Sequence, residues 1–379
     1  MTDSFAPRGV AAKLLAVNWA LLLLLTAVAS IGFLMLYAVA GGSLEPWAAP
    51  QMIRFGFGIV LILVMAMFPL RFWKAMAPVA YLAALALLFV VDMFGMIGMG
   101  AQRWIDLGFI ILQPSELMKI ALVMMLAAYY AWLDPAKVSN PLWLAPPLLM
   151  ILVPMGLVLI QPDLGTSIQL MLGGGAMIFL AGVSLWYFAA AIAAGVGVIT
   201  LVLKSQGTEW QLLHDYQFRR IFTFLDPASD PLGAGYHITQ AKIAMGSGGL
   251  AGRGWMQGTQ AKLNFLPEKH TDFIFTTFAE DFGFLGTIAL LILYALIVAF
   301  CFASAISNRD RFGALMTGGI GATFFLFFSV NMAMVMGMMP VVGVPLPLVS
   351  YGGSAMLVLL AAFGLVQAAH VHRPRGPQV

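Results

Sequence analysis

Residues 14–40 read LLAVNWALLLLLTAVASIGFLMLYAVA, a run without one charged side chain. A helix needs about 20 mainly apolar residues to cross the hydrocarbon core of a bilayer, so this run predicts a membrane span. Its apolar part is too long for a signal-peptide core, and no small-residue cleavage site clearly follows, so we expect the span to remain. About ten such spans are predicted, near 14–40, 51–69, 75–98, 116–133, 142–160, 165–183, 186–203, 273–305, 312–339 and 347–369.

The composition indicates the same fold class. Of the 379 residues, 61% are hydrophobic and 9% are charged, whereas about 25% charged residues is usual in soluble domains. So few charges cannot coat a folded surface in water, which excludes a soluble globular enzyme. We predict one all-α polytopic membrane domain over residues 1–379. The single cysteine, Cys301, excludes an intrachain disulfide, a cysteine metal cage and an iron–sulfur cluster.

The basic residues predict the orientation of the spans, because short cytoplasmic loops are enriched in Lys and Arg. Ten spans place both termini on one side, which we expect to be the cytoplasm. The loops near 41–50, 161–164 and 340–346 contain neither Lys nor Arg and should lie outside. The basic residues of the cytoplasmic side are Arg8, Lys13, Arg71, Lys74, Lys137, Arg309, Arg311, Arg373 and Arg375. They are scattered rather than clustered, so no nucleic-acid surface is predicted.

A long loop, residues 204–272, separates the seventh and eighth predicted spans. Loops longer than about 60 residues are translocated regardless of their charge, so we place this one outside. Residues 233–254 combine glycines with apolar side chains at helical spacing, which predicts a small amphipathic helix at the outer interface. We expect the helix to end at Gly246, Gly248 and Gly249, with turn chemistry favoured over phosphate binding for these glycines.

Ionisable side chains collect at the predicted outer ends of the spans. A charge buried in lipid costs several kcal/mol, so these groups should face one another or a wet cavity that opens outward. Each also has a local explanation: Asp272 and Asp163 stand where helix N-caps stand, and Glu116 and Lys119 are three residues apart. Together they favour a functional site. The group comprises Arg103, Asp106, Glu116, Lys119, Asp163, Asp272, Glu280 and Asp281.

Carboxylate chemistry remains open for this site. The sequence has no His-Glu-x-x-His zinc motif and no Gly-x-Ser-x-Gly nucleophile motif. A carboxylate at a membrane interface can act as a general base on a sugar hydroxyl, hold a divalent cation, or carry a proton in a transporter. Asp272 is placed for the first role, at the junction of the long loop and the eighth span. The basic residues that could hold a pyrophosphate are Arg103, Lys119, Arg219 and Arg220.

The sequence around Asp272 resembles the signature of the SEDS family (shape, elongation, division and sporulation). The match runs through NFLPEKHTDFIF at 264–275 and continues with EDFG at 280–283. Other matching segments cover nearly the whole chain in order: RWIDLG at 103–108 with QPSELMK at 113–119, QPDLGTS at 161–167 and PLPLVSYGGS at 345–354. Residues 224–255 and 339–345 resemble the elongation branch of the family more than the division branch.

The resemblance implies a ten-span peptidoglycan glycosyltransferase that polymerises lipid II on the outer face of the bacterial cytoplasmic membrane. The family's catalytic aspartate falls on Asp272, which would take a proton from the acceptor 4-hydroxyl. Transfer would invert the anomeric carbon and release undecaprenyl pyrophosphate. Four matching residues, Arg103, Glu116, Lys119 and Asp163, would shape the cavity and hold pyrophosphate or a divalent ion. The further substrate-binding residues would be Glu268, His270, Thr271, Glu280 and Asp281.

The resemblance also implies a protein partner, a class B penicillin-binding protein, on the eighth and ninth spans and the long loop. Membrane lipid and other proteins of the elongation complex are further expected partners. Small residues of the ninth span would allow a partner helix to approach closely, with packing inside this chain as the equal alternative. These are Gly313, Gly318, Gly319 and Gly321. The sequence establishes no cofactor, and a divalent cation, Mg²⁺ or Mn²⁺, is the one cofactor left open.

Two rival functions remain open from the sequence. A lipid II flippase would also use an outward cavity lined by acids and bases. Transporters of this kind place polar residues and broken helices on both sides of the midplane, often in repeated halves. Here the ionisable residues are concentrated outside and no internal repeat is visible. A non-catalytic scaffold for the transpeptidase would leave the acidic residues unexplained, so the polymerase is preferred.

Overall fold

The computed structural model describes residues 9–98, 101–106, 108, 111–208, 211, 218, 234–259, 269–341 and 343–373. Most of these residues are helical. The helices are α1 (Val10–Leu15), α2 (Trp19–Val39), α3 (Ala48–Ala66), α4 (Leu70–Phe94), α5 (Pro114–Trp132), α6 (Pro141–Ile160), α7 (Leu164–Leu180), α8 (Leu185–Lys204), α9 (Ala234–Gly248), α10 (Ile274–Ser307), α11 (Arg311–Val335) and α12 (Gly353–Val371). A short 3-10 turn, Pro135–Lys137, separates α5 from α6.

Each of the ten predicted spans coincides with a long helix in the described residues, α2 to α8 and α10 to α12. Eight of these helices are long and apolar enough to cross a membrane. The other two are α7, which has 17 residues, and α5, which carries Glu116 and Lys119 near its start. The chain is therefore a multi-pass helical membrane protein, as the sequence predicted.

A small antiparallel sheet follows α4, and the sequence analysis did not predict it. Its strands are β1 (Met96–Gly98), β2 (Ala101–Asp106) and β3 (Ile111–Leu112), in the order β1-β2-β3. The predicted third span ran to residue 98, whereas α4 ends at Phe94 because Gly95 adopts an extended conformation (φ −69°, ψ 157°). Strands this short contain too few residues for a two-residue period to stand out.

Contacts between loops define two ends of the helix bundle. At one end Lys13 Nζ donates to the Met67 carbonyl (2.7 Å), and Arg311 donates to the Leu133 carbonyl (2.8 Å). Burial lowers the pKa of His372 here, and the nearby charge of Lys13 acts in the same direction. The segments that meet are those predicted to be cytoplasmic, so we call this the basic end. The sheet and the non-helical segment 343–352 lie at the opposite end.

The helix predicted within the long loop is present as α9. It ends at Gly248, and Gly249 follows with a positive φ of 55°. Gly246 lies inside the helix rather than at its end. Ile238, Ala241 and Ala244 are buried, and the helix packs along α10. These three apolar positions of α9 therefore serve packing within the protein, whereas Ile243 is exposed.

The long helix α10 is broken near its start, at Gly283. This residue has φ 65° and ψ −161°, which interrupts the helical hydrogen bonds. The amides of Phe284 and Leu285 donate instead to the carbonyls of Gly249 and Leu250, at 2.9 and 3.0 Å. The break thus joins α10 to the loop that follows α9.

The core lies between α10, α11 and α12, where aromatic side chains stack. The Tyr294 ring lies 4.7 Å from Phe328, and Phe324 lies 5.3 Å from Phe363. The small residues of α11 face this chain's own helices: a Cβ on Gly321 would lie 2.7 Å from Cys301 Cβ. Their neighbours within the chain also include Asn308, Leu70, Leu180, Ala305, Met177 and Val123. Packing within the chain, not a partner helix, explains Gly313, Gly318, Gly319 and Gly321.

Replacing Gly283 by alanine should destabilise the protein. The new Cβ would lie 2.8 Å from the Leu250 carbonyl oxygen, and the backbone region of Gly283 costs other residues about 1–3 kcal/mol. Thermal unfolding of the purified protein in detergent should show a lower midpoint for Gly283→Ala than for the wild type.

The matched control is Gly156→Ala in α6, where no neighbouring atom lies within 4 Å of the added Cβ. Its midpoint should equal or exceed that of the wild type, because alanine favours helix more than glycine does. Equal midpoints for the two variants would contradict a structural role for the break.

Candidate functional site

The turn before α10 is fixed by its backbone. Three successive carbonyls, those of His270, Thr271 and Asp272, each accept a hydrogen bond from a different donor. The donors, in that order, are the Tyr351 amide (2.9 Å), Ser350 Oγ (2.6 Å) and Asn331 Nδ2 (2.9 Å). Because three consecutive carbonyls are held, the turn has little freedom and presents the Asp272 side chain from a rigid base.

Asn331 links this turn to the non-helical segment 343–352. The residue is fully buried in α11, and its Nδ2 also donates to the Val344 carbonyl at 2.6 Å. Both partners are acceptors, so the nitrogen of the side-chain amide must be the atom that faces them. One buried side chain therefore sets the position of Asp272 relative to Val344.

The Asp272 side chain is half-buried and lies beside Gly343. A Cβ on Gly343 would lie 3.5 Å from Asp272 Oδ2, and Gly343 has a positive φ of 67°. The N-cap residue of α10 is Phe273, and it makes no side-chain capping hydrogen bond. The prediction that Asp272 is the N-cap of α10 is therefore wrong. Helix capping does not account for an aspartate at this position.

His270 is packed between aromatic side chains. Its ring stacks on Trp47 with centroids 4.5 Å apart and lies 6.3 Å from the Tyr351 ring. Burial lowers the pKa of the neighbouring Lys269. His270 and Thr271 belong to the same turn as Asp272, and their contact with a substrate stays a prediction. Three other predicted residues lie outside the described residues: Glu268, Arg219 and Arg220.

A polar network crosses from α5 to α7. Lys119 Nζ donates to Glu116 Oε1 (2.7 Å) and Gln169 Oε1 (2.9 Å), and it lies 4.1 Å from the centre of the Phe327 ring. The predicted pairing of Glu116 with Lys119 is confirmed, and both residues are buried. Because the two charges offset each other, the pair is close to neutral, which lowers the cost of burying it among apolar helices.

Asp163 begins α7, as its N-cap prediction stated. Its Oδ1 accepts the Thr166 amide (3.1 Å), and Gln113 Nε2 donates to its Oδ2 (3.2 Å). Arg103 Nη1 lies 3.9 Å from the same Oδ2, and Arg103 Nε donates to the Gln161 carbonyl (3.1 Å). The contacts of Arg103 fasten strand β2 to the turn between α6 and α7.

Glu280 and Asp281 bind backbone amides of the loop between α9 and α10. Glu280 Oε1 accepts the Thr259 amide (2.7 Å), and Asp281 accepts the amides of Gly258 (3.1 Å) and Met256 (3.2 Å). Both carboxylates are buried. Their described contacts anchor residues 256–259 to α10, and contact with a substrate stays a prediction.

The contacts of these ionisable residues join them in local groups. Each group is satisfied by a helix end, a loop or a neighbouring side chain, which is how buried polar groups are usually stabilised. Asp106 is exposed and accepts the Gly108 amide at 2.7 Å. The other groups are Arg103 with Asp163, Glu116 with Lys119, Glu280 and Asp281 with the loop, and Asp272 in its turn.

A cavity lies between α5, α7, α11, α12 and the segment 343–352. It encloses about 750 Å³ of empty space, including its open mouth. Most of the wall is apolar, and the polar lining residues are Gln51, Glu116, Lys119, Gln169, Thr323 and Ser350. Ser350 also donates to the Thr271 carbonyl. The cavity wall and the turn of Asp272 therefore share one residue.

Sequence reasoning missed three buried amides of this region: Gln51, Gln169 and Asn331. Gln51 Nε2 donates to the Ser350 carbonyl at 3.0 Å, and the other two contact Lys119 and Asp272 as described. A polar amide within an apolar span is costly unless it is bonded. The cost of burying an unbonded polar group applies to uncharged amides as well as to charged side chains. On that ground, the three amides could have been identified from the sequence as candidate residues of the site.

The chain is similar to proteins of known activity. The sequence model of a cell cycle protein family, that of FtsW, RodA and SpoVE, matches residues 12–375. The peptidoglycan glycosyltransferase MrdB of Escherichia coli K12 is 47% identical over 317 residues, which cover 83% of each chain.

Two solved structures resemble the fold along almost its whole length. One belongs to work on the structural coordination of polymerization and crosslinking by a peptidoglycan synthase complex. It superposes with a TM-score of 0.79 at 31% identity, covering 94% of this chain and 98% of that one. The rod shape determining protein RodA of Thermus thermophilus superposes with a TM-score of 0.69 at 29% identity, covering 96% and 99%.

Breaking the pair of Glu116 and Lys119 should destabilise the protein more than removing both charges. Lys119→Met alone leaves a buried carboxylate without its cation, and breaking such a pair costs about 3–5 kcal/mol. We expect Glu116→Gln alone to lower the thermal midpoint in detergent for the same reason. The double variant Glu116→Gln with Lys119→Met should recover a large part of the lost thermal midpoint. A double variant with a midpoint no higher than that of the less stable single variant would contradict the stabilising role of the pair.

Proposed function

The chain belongs to the FtsW, RodA and SpoVE family of cell cycle proteins and is a peptidoglycan glycosyltransferase of the elongation type, and from this premise we propose that it polymerises lipid II at the outer face of the bacterial cytoplasmic membrane. One observation carries the proposal: the backbone-fixed turn of Asp272 shares Ser350 with an apolar cavity inside the helix bundle. A rigid carboxylate beside such a cavity suits a substrate with a sugar head and a lipid tail.

Asp272 acts as the general base. Its carboxylate takes the proton of the 4-hydroxyl of the acceptor N-acetylglucosamine. The hydroxyl oxygen bonds to the anomeric carbon of the donor's terminal N-acetylmuramic acid, and the bond from that carbon to the diphosphate oxygen breaks. Undecaprenyl diphosphate leaves with the electron pair, and the anomeric carbon is inverted. The held turn supports this role, because a base must lie within hydrogen-bond reach of the proton it removes.

The cavity receives the apolar part of the lipid-linked substrate. Its apolar walls come from α5, α11 and α12. Lys119 already donates to Glu116 and Gln169, and an ammonium has three N–H donors. At most one of these remains for a phosphate, so the pair shapes the cavity more than it neutralises the diphosphate.

The basic end of the bundle faces the cytoplasm, with both chain termini, and Asp272 faces outward. Support comes from the excess of Lys and Arg that cytoplasmic loops carry. The contacts of Lys13 with Met67 and of Arg311 with Leu133 gather those basic segments at one end. Lipid II with its sugar head outside would reach Asp272 from that side of the membrane.

A class B penicillin-binding protein is the partner that crosslinks the glycan product. The structural likeness to a chain of a peptidoglycan synthase complex supports this pairing. The glycines of α11 pack against other helices of this chain. The surface that contacts the penicillin-binding protein therefore lies elsewhere on α10, α11 and the outer loop.

A divalent cation, Mg²⁺ or Mn²⁺, would have to bind together with the substrate. Among the residues that the structure describes, no three His, Cys, Asp or Glu side chains are grouped as a metal site. Mg²⁺ is often held by one or two carboxylates and the phosphates of a substrate. The described side chains alone do not form a site for a resident metal, and the steps above use none.

Removing the base should abolish polymerisation without unfolding the protein. Asp272→Asn keeps the shape of the side chain but cannot take a proton, and loss of a general base slows a reaction by about 10²–10⁴-fold. The measurement is glycan synthesis from labelled lipid II by the purified protein with its transpeptidase partner. Asp134→Asn is the control, because Asp134 caps an exposed turn at the basic end, where asparagine can cap equally well.

Two outcomes would overturn parts of this proposal. Normal polymerisation by Asp272→Asn would move the base to another carboxylate. A wild type that makes no glycan but carries lipid II across liposome membranes would be a flippase.

Labelling of introduced cysteines should report the orientation. The native Cys301 is fully buried and should stay silent, so Ser43→Cys and Arg309→Cys, both at exposed positions, can be read singly. A membrane-impermeant maleimide added to spheroplasts should label Ser43→Cys at once and Arg309→Cys only after lysis. The reverse pattern would invert the proposed topology.

A further inference from the structure

Arg54 is a charged residue inside the membrane-spanning helix α3, at the same end of the bundle as Asp272. Arginine within a span is costly and usually faces the protein interior or a polar partner. Arg54 is half-buried. The reaction as described above does not use Arg54.

The guanidinium of Arg54 has an aromatic partner but, among the residues that the structure describes, no hydrogen-bond acceptor for its Nη1. Its Cζ lies 5.1 Å from the centre of the Tyr351 ring, an arrangement in which the cation attracts the ring face. Its Nη1 is buried and has no hydrogen-bond partner among the described residues. Stacking uses the face of the guanidinium and leaves the N–H groups on its edge available, so an anion could still bind there.

The position of Arg54 links it to the turn of Asp272. The Tyr351 amide donates to the His270 carbonyl, two residues before Asp272. Gln51 lies one helical turn before Arg54 and donates to the Ser350 carbonyl at 3.0 Å. Gln51 lines the cavity, and Arg54, one turn further along α3, contacts Tyr351 of the segment that the Gln51 bond holds.

The other described cations near the cavity are already occupied. Lys119 pairs with Glu116, and Arg103 pairs with Asp163 and donates to the Gln161 carbonyl. Arg54 has no such carboxylate in the described part of the chain. A guanidinium binds phosphate oxygens through two parallel N–H bonds, which matches the donors that Arg54 leaves unused.

We propose that Arg54, stacked on Tyr351, forms a subsite that binds a phosphate group next to Ser350 and Gly352, two residues that line the cavity. Two sources carry this group, the diphosphate of a lipid-linked sugar and the phosphate of an anionic membrane phospholipid such as phosphatidylglycerol. The assignment to the substrate diphosphate rests on the glycosyltransferase function proposed above. A bound guanidinium would there offset the charge that the diphosphate gains as it leaves.

Binding of farnesyl diphosphate to the full chain in phosphatidylcholine nanodiscs tests the subsite without requiring turnover. Arg54→Gln should weaken this binding about 10-fold or more, the loss expected for a charged hydrogen bond. Arg54→Lys should retain part of the affinity, because it keeps the charge but loses the paired geometry. Farnesol, which lacks phosphate, should bind all variants equally. Arg309→Gln, an exposed arginine at the basic end, is the matched control and should bind like the wild type.

Kinetics and lipid composition distinguish the two sources. A substrate subsite predicts a higher KM for lipid II in Arg54→Gln, at an unchanged thermal midpoint, whatever the lipid of the disc. If phosphatidylglycerol competes with farnesyl diphosphate in the wild type and the KM for lipid II is unchanged, the phosphate subsite stands and its ligand is a phospholipid.

Two further results separate the subsite from the proposed function. Equal farnesyl diphosphate affinity in the wild type and Arg54→Gln overturns the subsite and leaves the glycosyltransferase intact. Loss of binding in Arg54→Gln, with a wild type that makes no glycan, keeps the subsite and overturns the enzyme function.

Discussion

Buried backbone that is not helical must find its hydrogen bonds inside the protein, because lipid offers none. The segment 343–352 meets this constraint through long side chains from three helices. The donors and their carbonyls are Gln51 to Ser350 (3.0 Å), Tyr294 to Pro347 (2.6 Å) and Asn331 to Val344 (2.6 Å). Ser350 completes the set, since its Oγ accepts the Leu346 amide at 2.7 Å. These bonds allow an irregular chain to exist between α11 and α12.

The site depends on the same bonds. Ser350 and Asn331 each use one group to hold the segment 343–352 and the turn of Asp272 together. The turn also receives the Tyr351 amide, so it is positioned by the segment rather than by its own helix. A carboxylate held this way lies at a fixed distance from the cavity wall, which is the preorganisation that general base catalysis, the role proposed for Asp272, needs.

The spans could be predicted because a helix that crosses a bilayer needs an apolar run of a minimum length, and such runs are visible in a single sequence. The sequence could not display how the charges pair. Arg103 and Asp163 are 60 positions apart, and their contact depends on the sheet at 96–112, whose strands were too short to predict. Glu116 and Lys119 lie within one helical turn, and their pairing was predictable for that reason. Asn331 was missed because the search for a site considered charge alone.

The loop after α9 approaches the start of α10 through glycines. Gly248 and Gly252 face the backbone carbonyls of Ala279 and Asp281, and a Cβ on Gly258 would lie 2.7 Å from a Glu280 carboxylate oxygen. These close contacts place the glycines in register with the helix they touch. An inserted or deleted residue between Gly248 and Gly258 would move a glycine away from its contact with α10. A residue with a side chain would then take the place of that glycine, where there is no room for a Cβ. We therefore expect this stretch to tolerate substitution away from its glycines better than any change of its length.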